Sequence, residues 1–402
     1  MTADARDLRR RWQRPTICGF LVIAGLLTGA CSGRSQSPVA CGDALTTDAV
    51  ADLRSFVNWA NTNHVRGAVG EVGWPATGDV SQWSAVATQW DKVAREAKLT
   101  VLLWAASEWL PPSYNLRIAN PPSGTAGPLT AIGPQLQLML DANKGSRLIG
   151  VNDVGGEFGT PAGFSNANPG DYGTAWHLDG AQSLQFLAAQ GIRLVRLPIR
   201  WERLQPQLNG PLDQQAVAEV ARYLTDANNA GLSVVLDLHN FGQYDAGSVQ
   251  SPTAVTTLHL GSSELPAAGL ANVWSSLVKA FGTYPAIAGW DIINEPVALP
   301  ATDGSSPKTW ELASQAVVSA IRKTGDRHDV WIEGYNYSAT GSFASLTPRA
   351  WIKDPADAVI YEAHTYFDQD RSGQYHDTYA TQEKAAVAAA HHAPGAKVCA
   401  PK

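Results

Sequence analysis

Residues able to carry acid–base or nucleophilic chemistry stand at the ends of short apolar runs throughout this chain. Glu71 lies in Gly70-Glu71-Val72-Gly73, and Glu295 lies in Asn294-Glu295-Pro296 after Asp291-Ile292-Ile293. Arg196 stands in Leu194-Val195-Arg196-Leu197-Pro198 and His239 in Leu236-Asp237-Leu238-His239-Asn240; His364 and Tyr366 share Glu362-Ala363-His364-Thr365-Tyr366-Phe367. Two carboxyls held about 5 to 5.5 Å apart can divide labour: the protonated one gives a proton to a leaving oxygen while the ionised one attacks carbon. An arginine beside one carboxylate lowers its pKa, and the mutual repulsion of the pair raises the other's. Arg196 and Tyr366 are neighbours of the kind that would divide Glu71 and Glu295 in this way.

Such residues need a scaffold that gathers strand ends. From residue 147 onward strands are expected near 147–152, 193–198, 233–238, 287–293, 329–333 and 358–363, with helices such as Asp179 to Gln190, Asp213 to Ala230, Ala271 to Phe281 and Pro307 to Lys323 between them. Upstream, Val50, Leu53, Val57 and Ala60 recur at helical spacing, which predicts an amphipathic helix over 48–62 with Thr47 as its N-cap. A strand from Arg66 to Gly73 follows, then a helix from Trp83 to Ala97. The apolar run Thr100-Val101-Leu102-Leu103-Trp104 reads as a buried parallel strand. Residues 106–130 are rich in Pro, Gly, Ser and Asn and look like a linker, which extends to 146. Two strands before it and six after make eight βα units, an α/β chain suited to a (β/α)8 TIM barrel with its active residues at the strand C-termini.

The 402 residues fit one such domain plus extensions. A net charge of -6, a pI near 5.8 and only 16% charged residues argue against nucleic acid or an anionic membrane as partner. Arg6, Arg9, Arg10, Arg11 and Arg14 precede an apolar run from Ile17 to Ala30 that is short for a membrane span, so residues 1–31 read as a signal peptide and 32–402 as the single domain. Leu27-Thr28-Gly29-Ala30-Cys31 also resembles a bacterial lipobox, with Thr28 where leucine is usual, so secretion and lipid anchoring at Cys31 both stay open. Cys18 and Cys31 belong to that leader, and in an exported protein the remaining pair, Cys41 and Cys399, is most simply a disulfide. No cluster of His, Cys and Asp shows metal-ligand spacing, so neither metal nor cofactor is expected.

Taken together, these strand-end motifs resemble glycoside hydrolase family 5, the cellulase-type family of clan A, over almost the whole chain after the leader. The resemblance implies that Glu295 is the general acid/base and that Asn294 holds the sugar 2-hydroxyl. It puts Arg196 under the nucleophile and sets His239, Asn240, His364 and Tyr366 around the scissile bond. Gly150-Val151-Asn152, running on to Gly156-Glu157-Phe158-Gly159, resembles the family's first strand and its loop, so Glu157 is read as a first-strand residue although its surroundings mimic the nucleophile motif.

The family's nucleophile strand comes seventh, after the His-Thr-Tyr strand, yet this chain ends soon after Tyr366. The N-terminal segment resembles the missing part. Phe56-Val57-Asn58-Trp59 running into Gly70-Glu71-Val72-Gly73 is similar to the sixth helix and seventh strand, with Glu71 as nucleophile. Val101-Leu102-Leu103-Trp104 is similar to the eighth strand, whose tryptophan stacks on sugar. The resemblance therefore implies a circularly permuted barrel cut in its sixth helical layer: 41–105 supply the sixth helix to the eighth strand, 106–146 a permutation linker and 147–402 the first six βα units. Val72 departs from the pattern, which usually has an aromatic there.

The implied activity is retaining, internal cleavage of β-1,4-glucan by a secreted or surface-anchored monomer. A β-mannanase, or a degenerate glycan-binding lipoprotein on the same barrel, are the alternatives. Tyr244, Trp109, Tyr337 and Trp201 are candidate platforms for further sugars, drawn from fourteen tryptophans and eleven tyrosines that also serve the core. Asp237 and Glu333 read as strand-end hydrogen-bonding residues.

Overall fold

The computed structural model describes residues 44–120, 127–248 and 251–392, and eight of its strands close into one parallel barrel. In chain order the strands are β1 (Arg66–Gly73), β2 (Thr100–Ala106), β3 (Ala119–Asn120), β4 (Ala131–Ile132), β5 (Ile149–Asp153), β6 (Leu194–Ile199), β7 (Ser233–Leu238), β8 (Gln243–Ser248), β9 (Ser251–His259), β10 (Ile287–Asp291), β11 (Asp329–Glu333) and β12 (Val359–Tyr366). The helices are α1 (Ala44–Thr62), α2 (Val80–Glu96), α3 (Pro134–Asn143), α4 (Ala181–Ala189), α5 (Trp201–Leu204), α6 (Gln214–Ala230), α7 (Ala267–Phe281), α8 (Ser306–Lys323), α9 (Thr340–Leu346) and α10 (Tyr379–His392). Around the barrel run β1, β2, β5, β6, β7, β10, β11 and β12, and β12 pairs back onto β1 with Glu71 opposite His364. The expected (β/α)8 barrel is therefore present, and β1, from the N-terminal segment, closes it.

Local sequence accounts for the elements. In α6 the buried positions Ala216, Val220, Tyr223, Leu224 and Ala227 fall on one helical stripe. The Asp213 side chain accepts from the Ala216 N–H at 2.9 Å, and Gly231 stops the helix at φ +76°, a conformation costly for other residues. Strand β2, covered on both faces, is buried at every position, which is why it reads as a continuous apolar run. Inside the barrel Ala68, Leu102, Leu194, Val235, Trp331 and Ile360 form the lower core. A larger apolar layer lies between strands and helices.

Two expectations are corrected and one further element was not expected. Helix α1 already begins at Ala44, so Thr47 lies within it rather than capping it. The segment read as linker carries the small antiparallel pair β3–β4 and helix α3, whose Leu136 and Met139 are buried and whose Gln135 amide donates to the Trp74 carbonyl at 2.8 Å. The antiparallel ribbon β8–β9, between β7 and α7, had no strong alternation to announce it. Helix α1 itself is bound into the fold. Phe56 and Trp59 pack against Phe343, Trp59 also against Tyr361, and the Trp59 indole donates to the Thr347 carbonyl at 2.6 Å. The leader, Cys31, Cys41 and Cys399 lie outside the described residues, and among those described no helix is long and apolar enough to cross a membrane.

Candidate active site

Strand alternation alone would turn Glu71 away from the barrel axis, because Ala68 faces the lower core and Val69 the outer layer. The pairing of β1 with β12 slips between Val69 and Glu71, and this irregularity re-aims Glu71 to the inside. Gly70 makes the slip fit: a Cβ there would stand 1.2 Å from a carboxylate oxygen of Glu362. Glu295 follows β10 at φ +46°, a backbone region that non-glycine residues seldom adopt, and its N–H donates to Glu333 at 2.7 Å. Oxygens of Glu71 and Glu295 consequently lie within 4.8 Å of each other. Glu71 is nearly sealed at the cleft floor, whereas the Glu295 side chain is 15% exposed on its wall.

The Arg196 guanidinium is the hub of the upper barrel. It donates to Glu71 at 2.8 Å, Asp291 at 2.7 Å, Asn152 at 3.0 Å, Asn294 at 2.8 Å and Glu333 at 3.1 Å, with Asp237 at 3.1 Å as well. One guanidinium cannot hold so many buried carboxylates ionised. Burial and mutual repulsion therefore keep Asp291 and Glu333 protonated well above the usual range, and burial pushes Asp237 up to about 7. Burial also opposes the charge on Glu71, but His364, Arg196 and the Tyr366 hydroxyl, which donates at 2.7 Å, outweigh it and hold Glu71 below the ordinary carboxylate range. Glu295 moves the other way, raised by burial and by the charge on Glu71 against the pull of His364. The two carboxyls thus differ in the sense that an acid and a nucleophile require.

His364 sits between them, its Nδ1 2.8 Å from Glu295 and 3.7 Å from Glu71. Burial alone would strip its proton, but the charge on Glu71 and the hydrogen bond to Glu295 keep it charged well above the usual histidine range. His239 is held neutral by burial and lies 2.8 Å from Asp237 through Nδ1. In the tautomer that carries its proton on Nδ1 and donates it to Asp237, Nε2 is an acceptor. The Trp104 ring stacks on His239 at 5.5 Å and 22°, and its indole N–H donates to the Tyr114 hydroxyl at 2.6 Å. Asn294 is 1% exposed, its carbonyl is engaged by Arg196, and its Nδ2 finds no acceptor among the described residues.

The structure thus gathers Glu71, Glu295, Arg196, His239, Asn294, His364, Tyr366 and Trp104 at one end of the barrel. Asn240 is the exception. Its amide donates to Glu202 and to the Gln243 carbonyl and its oxygen accepts from the Trp201 N–H, so it fastens a loop rather than offering a sugar contact. Trp201 and Tyr244 are each 1% exposed and belong to the core, whereas Trp109 and Tyr337 are exposed. Glu157 is buried beside Gly155, donor to its Oε2, and does not touch the pair. Sequence reasoning missed Asn152, which donates to the Gly70 carbonyl at 2.8 Å as well as accepting from Arg196, and it missed Asp291 and Glu362. For Asn152 and Asp291 the place at a strand C-terminus was the available signal; Glu362, in the middle of β12, had only its alternation with His364.

A family model described as cellulase (glycosyl hydrolase family 5) matches residues 153–395. The manganese dependent endoglucanase Eg5A of Phanerodontia chrysosporium is 26% identical over 240 residues, which cover 58% of this chain and 56% of that protein. Endoglucanase gh5-1 of Neurospora crassa is 26% identical over 227 residues, 56% of this chain and 51% of that one. The chain therefore spans about half the length of these curated relatives. Among solved structures, Pseudomonas stutzeri endoglucanase Cel5A in complex with cellobiose is 37% identical, with a TM-score of 0.46, covering 54% of this chain and 60% of that one. With more than half of its length matched by the family model, the chain belongs to glycoside hydrolase family 5.

Proposed function

We propose that this protein is a retaining glycoside hydrolase that cleaves internal bonds of β-1,4-glucan, with Glu71 as nucleophile and Glu295 as acid/base. The observation that carries the reading is the pair of carboxyls with oxygens within 4.8 Å of each other, Glu71 held on Arg196 and Tyr366 below the ordinary carboxylate range and Glu295 raised on the cleft wall. That separation suits the retaining geometry and leaves too little room for the water of an inverting enzyme.

Glu295 gives its proton to the glycosidic oxygen as Glu71 attacks the anomeric carbon; the C–O bond breaks and a glycosyl ester forms on Glu71. Glu295, now a carboxylate, takes a proton from water, whose oxygen displaces Glu71 and restores both groups with net retention. The buried, unpartnered Nδ2 of Asn294 is a donor for the 2-hydroxyl, and such bonds strengthen as positive charge develops on the ring. Trp104 offers a flat apolar face, and neutral His239 an acceptor. The β-1,4-glucan substrate is carried over from the relatives' endoglucanase activity.

The barrel is read as circularly permuted. The family match begins at Asp153 and leaves β1 and β2 before it, although these strands complete the ring and carry Glu71. In support, Glu383 of α10 accepts from the Ala44 and Leu45 N–H groups at 2.7 and 3.0 Å, so the start of α1 lies against the last described helix. A Cys41–Cys399 bond would close that seam. The leader sequence supports an exported protein, secreted or held by lipid at Cys31.

The test is reducing-end release from carboxymethylcellulose and β-mannan by the wild-type chain and by Glu71→Gln and Glu295→Gln. Loss in both variants, with carboxymethylcellulose preferred, is the expected result. A folded wild-type chain that turns over neither polymer refutes the proposal.

A further inference from the structure

A second group of chemistry-bearing side chains lies apart from the reacting pair. Glu108, just past the end of β2, and His177 and Asp179, just before α4, each bring a ligand atom to within 4.8 Å of the other two. Glu108 and His177 are 69 positions apart, so no spacing in the sequence announces the set. Each member is held in place by an outer partner. Glu108 Oε1 accepts from the Gly180 N–H at 3.1 Å and the Ser183 hydroxyl at 2.7 Å, which leaves Oε2 turned toward His177 Nε2 at 3.2 Å. Asp179 accepts from the Ser107 hydroxyl at 2.9 Å and the Glu108 N–H at 3.0 Å. The His177 ring stacks on Trp109 at 4.6 Å and 11° and runs nearly parallel to Tyr172. Partners of this kind are what orient the side chains of a metal site.

The group has more acceptors than donors. Unless a proton or a cation lies between His177 Nε2 and Glu108 Oε2, two lone pairs meet there. Asp153, at the end of β5, adds an independent sign of the same need. It is 1% exposed, its Oδ2 accepts from the Tyr223 hydroxyl at 2.6 Å, and its Oδ1 finds no partner among the described residues, while its carboxyl faces that of Asp179 within hydrogen-bond reach. Among the described residues no lysine or arginine pairs with these three carboxyls; His177 is the basic group beside them. Buried carboxyls without a counter-charge are costly, and coordination of a metal ion is one way they are compensated. An entry path exists, since the His177 and Glu108 side chains are 17% and 11% exposed while that of Asp179 is sealed.

We infer that Glu108, His177 and Asp179 bind a divalent transition cation, with Glu108 Oε2, His177 Nε2 and an Asp179 oxygen as its protein ligands and water completing the shell. One imidazole among carboxylates suits an ion of the Zn2+ class, whereas Ca2+ and Mg2+ favour oxygen alone. The ion ties the segment after β2 to the start of α4. Because β2 carries Trp104 and the tied segment carries Trp109, occupancy steadies that wall of the cleft without entering the chemistry. Glu71, Glu295 and His364 also bring three ligand atoms within 4.8 Å, but Arg196 and Tyr366 already occupy Glu71, and His364 is cationic there.

The experiment strips the mature chain with EDTA, dialyses it against Zn2+, and measures bound metal by plasma mass spectrometry and Tm by calorimetry. One Zn2+ per wild-type chain is expected, with a Tm rise of about 3 to 4 °C when free Zn2+ is a hundredfold above Kd. Glu108→Gln and His177→Gln lose both the ion and the rise, although each still melts cooperatively in EDTA, and Glu71→Gln keeps both. A wild-type chain that takes up no Zn2+, or uptake that persists unchanged in His177→Gln, overturns the assignment. So does an ion lost in Glu71→Gln and kept in His177→Gln, which would belong to the catalytic carboxyls. Where a variant fails to fold, anomalous scattering at the zinc edge from crystals of the wild-type chain decides: an ion beside His177 supports the site, and an ion elsewhere or none overturns it.

Discussion

Replacing Tyr366 by phenylalanine deletes one hydroxyl and keeps the ring that borders Gly73. That hydroxyl donates to Glu71 at 2.7 Å and, through burial and the neighbouring carboxylate charge, retains its proton far above the usual tyrosine range. A hydrogen bond to a charged group contributes about 1.5–3 kcal/mol. At 1.36 kcal/mol per pKa unit, its loss raises the Glu71 pKa by about one to two. Since the donor favours the ionised form, the sign is upward, and Glu71 must be ionised to attack. The acid limb of kcat/KM against pH on 4-nitrophenyl β-cellobioside therefore moves to higher pH by about one to two pH units, while the basic limb, set by Glu295, stays in place. An acid limb that stays put, or a basic limb that moves instead, refutes the assignment of the two carboxyls.

Two further outcomes follow from groups outside the reacting pair. Burial pushes Glu157 up to about 8, so between pH 4.5 and 8 the fold retains a proton that the unfolded chain has released; stability falls across that window by on the order of 5 kcal/mol. Glu157→Gln removes this dependence, and urea unfolding at pH 5 and pH 8 shows it as a smaller difference between the two pH values than in wild type. The proposed Cys41–Cys399 bond predicts that a thiol assay of the denatured mature protein finds neither free, and that reduction lowers stability by at most about 6 kcal/mol in the chain-entropy picture, seen as a lower Tm. Two free thiols under oxidising conditions contradict the closure.

Much of this site was legible because a parallel barrel brings strand C-termini together whatever their distance in sequence. Arg196, Asn294, His364 and Tyr366 needed only their place at a strand end to be assigned to one cluster. Glu71 was legible as a motif but not as a direction: alternation from Ala68 puts it on the outer face, and only the slip in β1 pairing, invisible in sequence, turns it inward. Asn240 was misread for the converse reason. Being next to His239 suggested the same cleft, but the chain turns there and its amide is taken by Glu202. The buried state of Trp201 and Tyr244 depends on long-range packing of one ring on the other, 5.3 Å apart, which local pattern does not encode. The fold of the 106–146 segment escaped because β3 and β4 are two residues each, and α3 has only a short buried face.

The central claim is that Glu71, on the first barrel strand of the chain, becomes the covalently glycosylated residue. Its most direct test is trapping with 2,4-dinitrophenyl 2-deoxy-2-fluoro-β-cellobioside, followed by proteolysis and mass mapping of the labelled peptide. One fluorocellobiosyl group per chain on the peptide carrying Gly70-Glu71-Val72-Gly73, absent in Glu71→Gln, is the predicted result. A label on the Gly156-Glu157-Phe158-Gly159 peptide, or an active chain that acquires none, would contradict it.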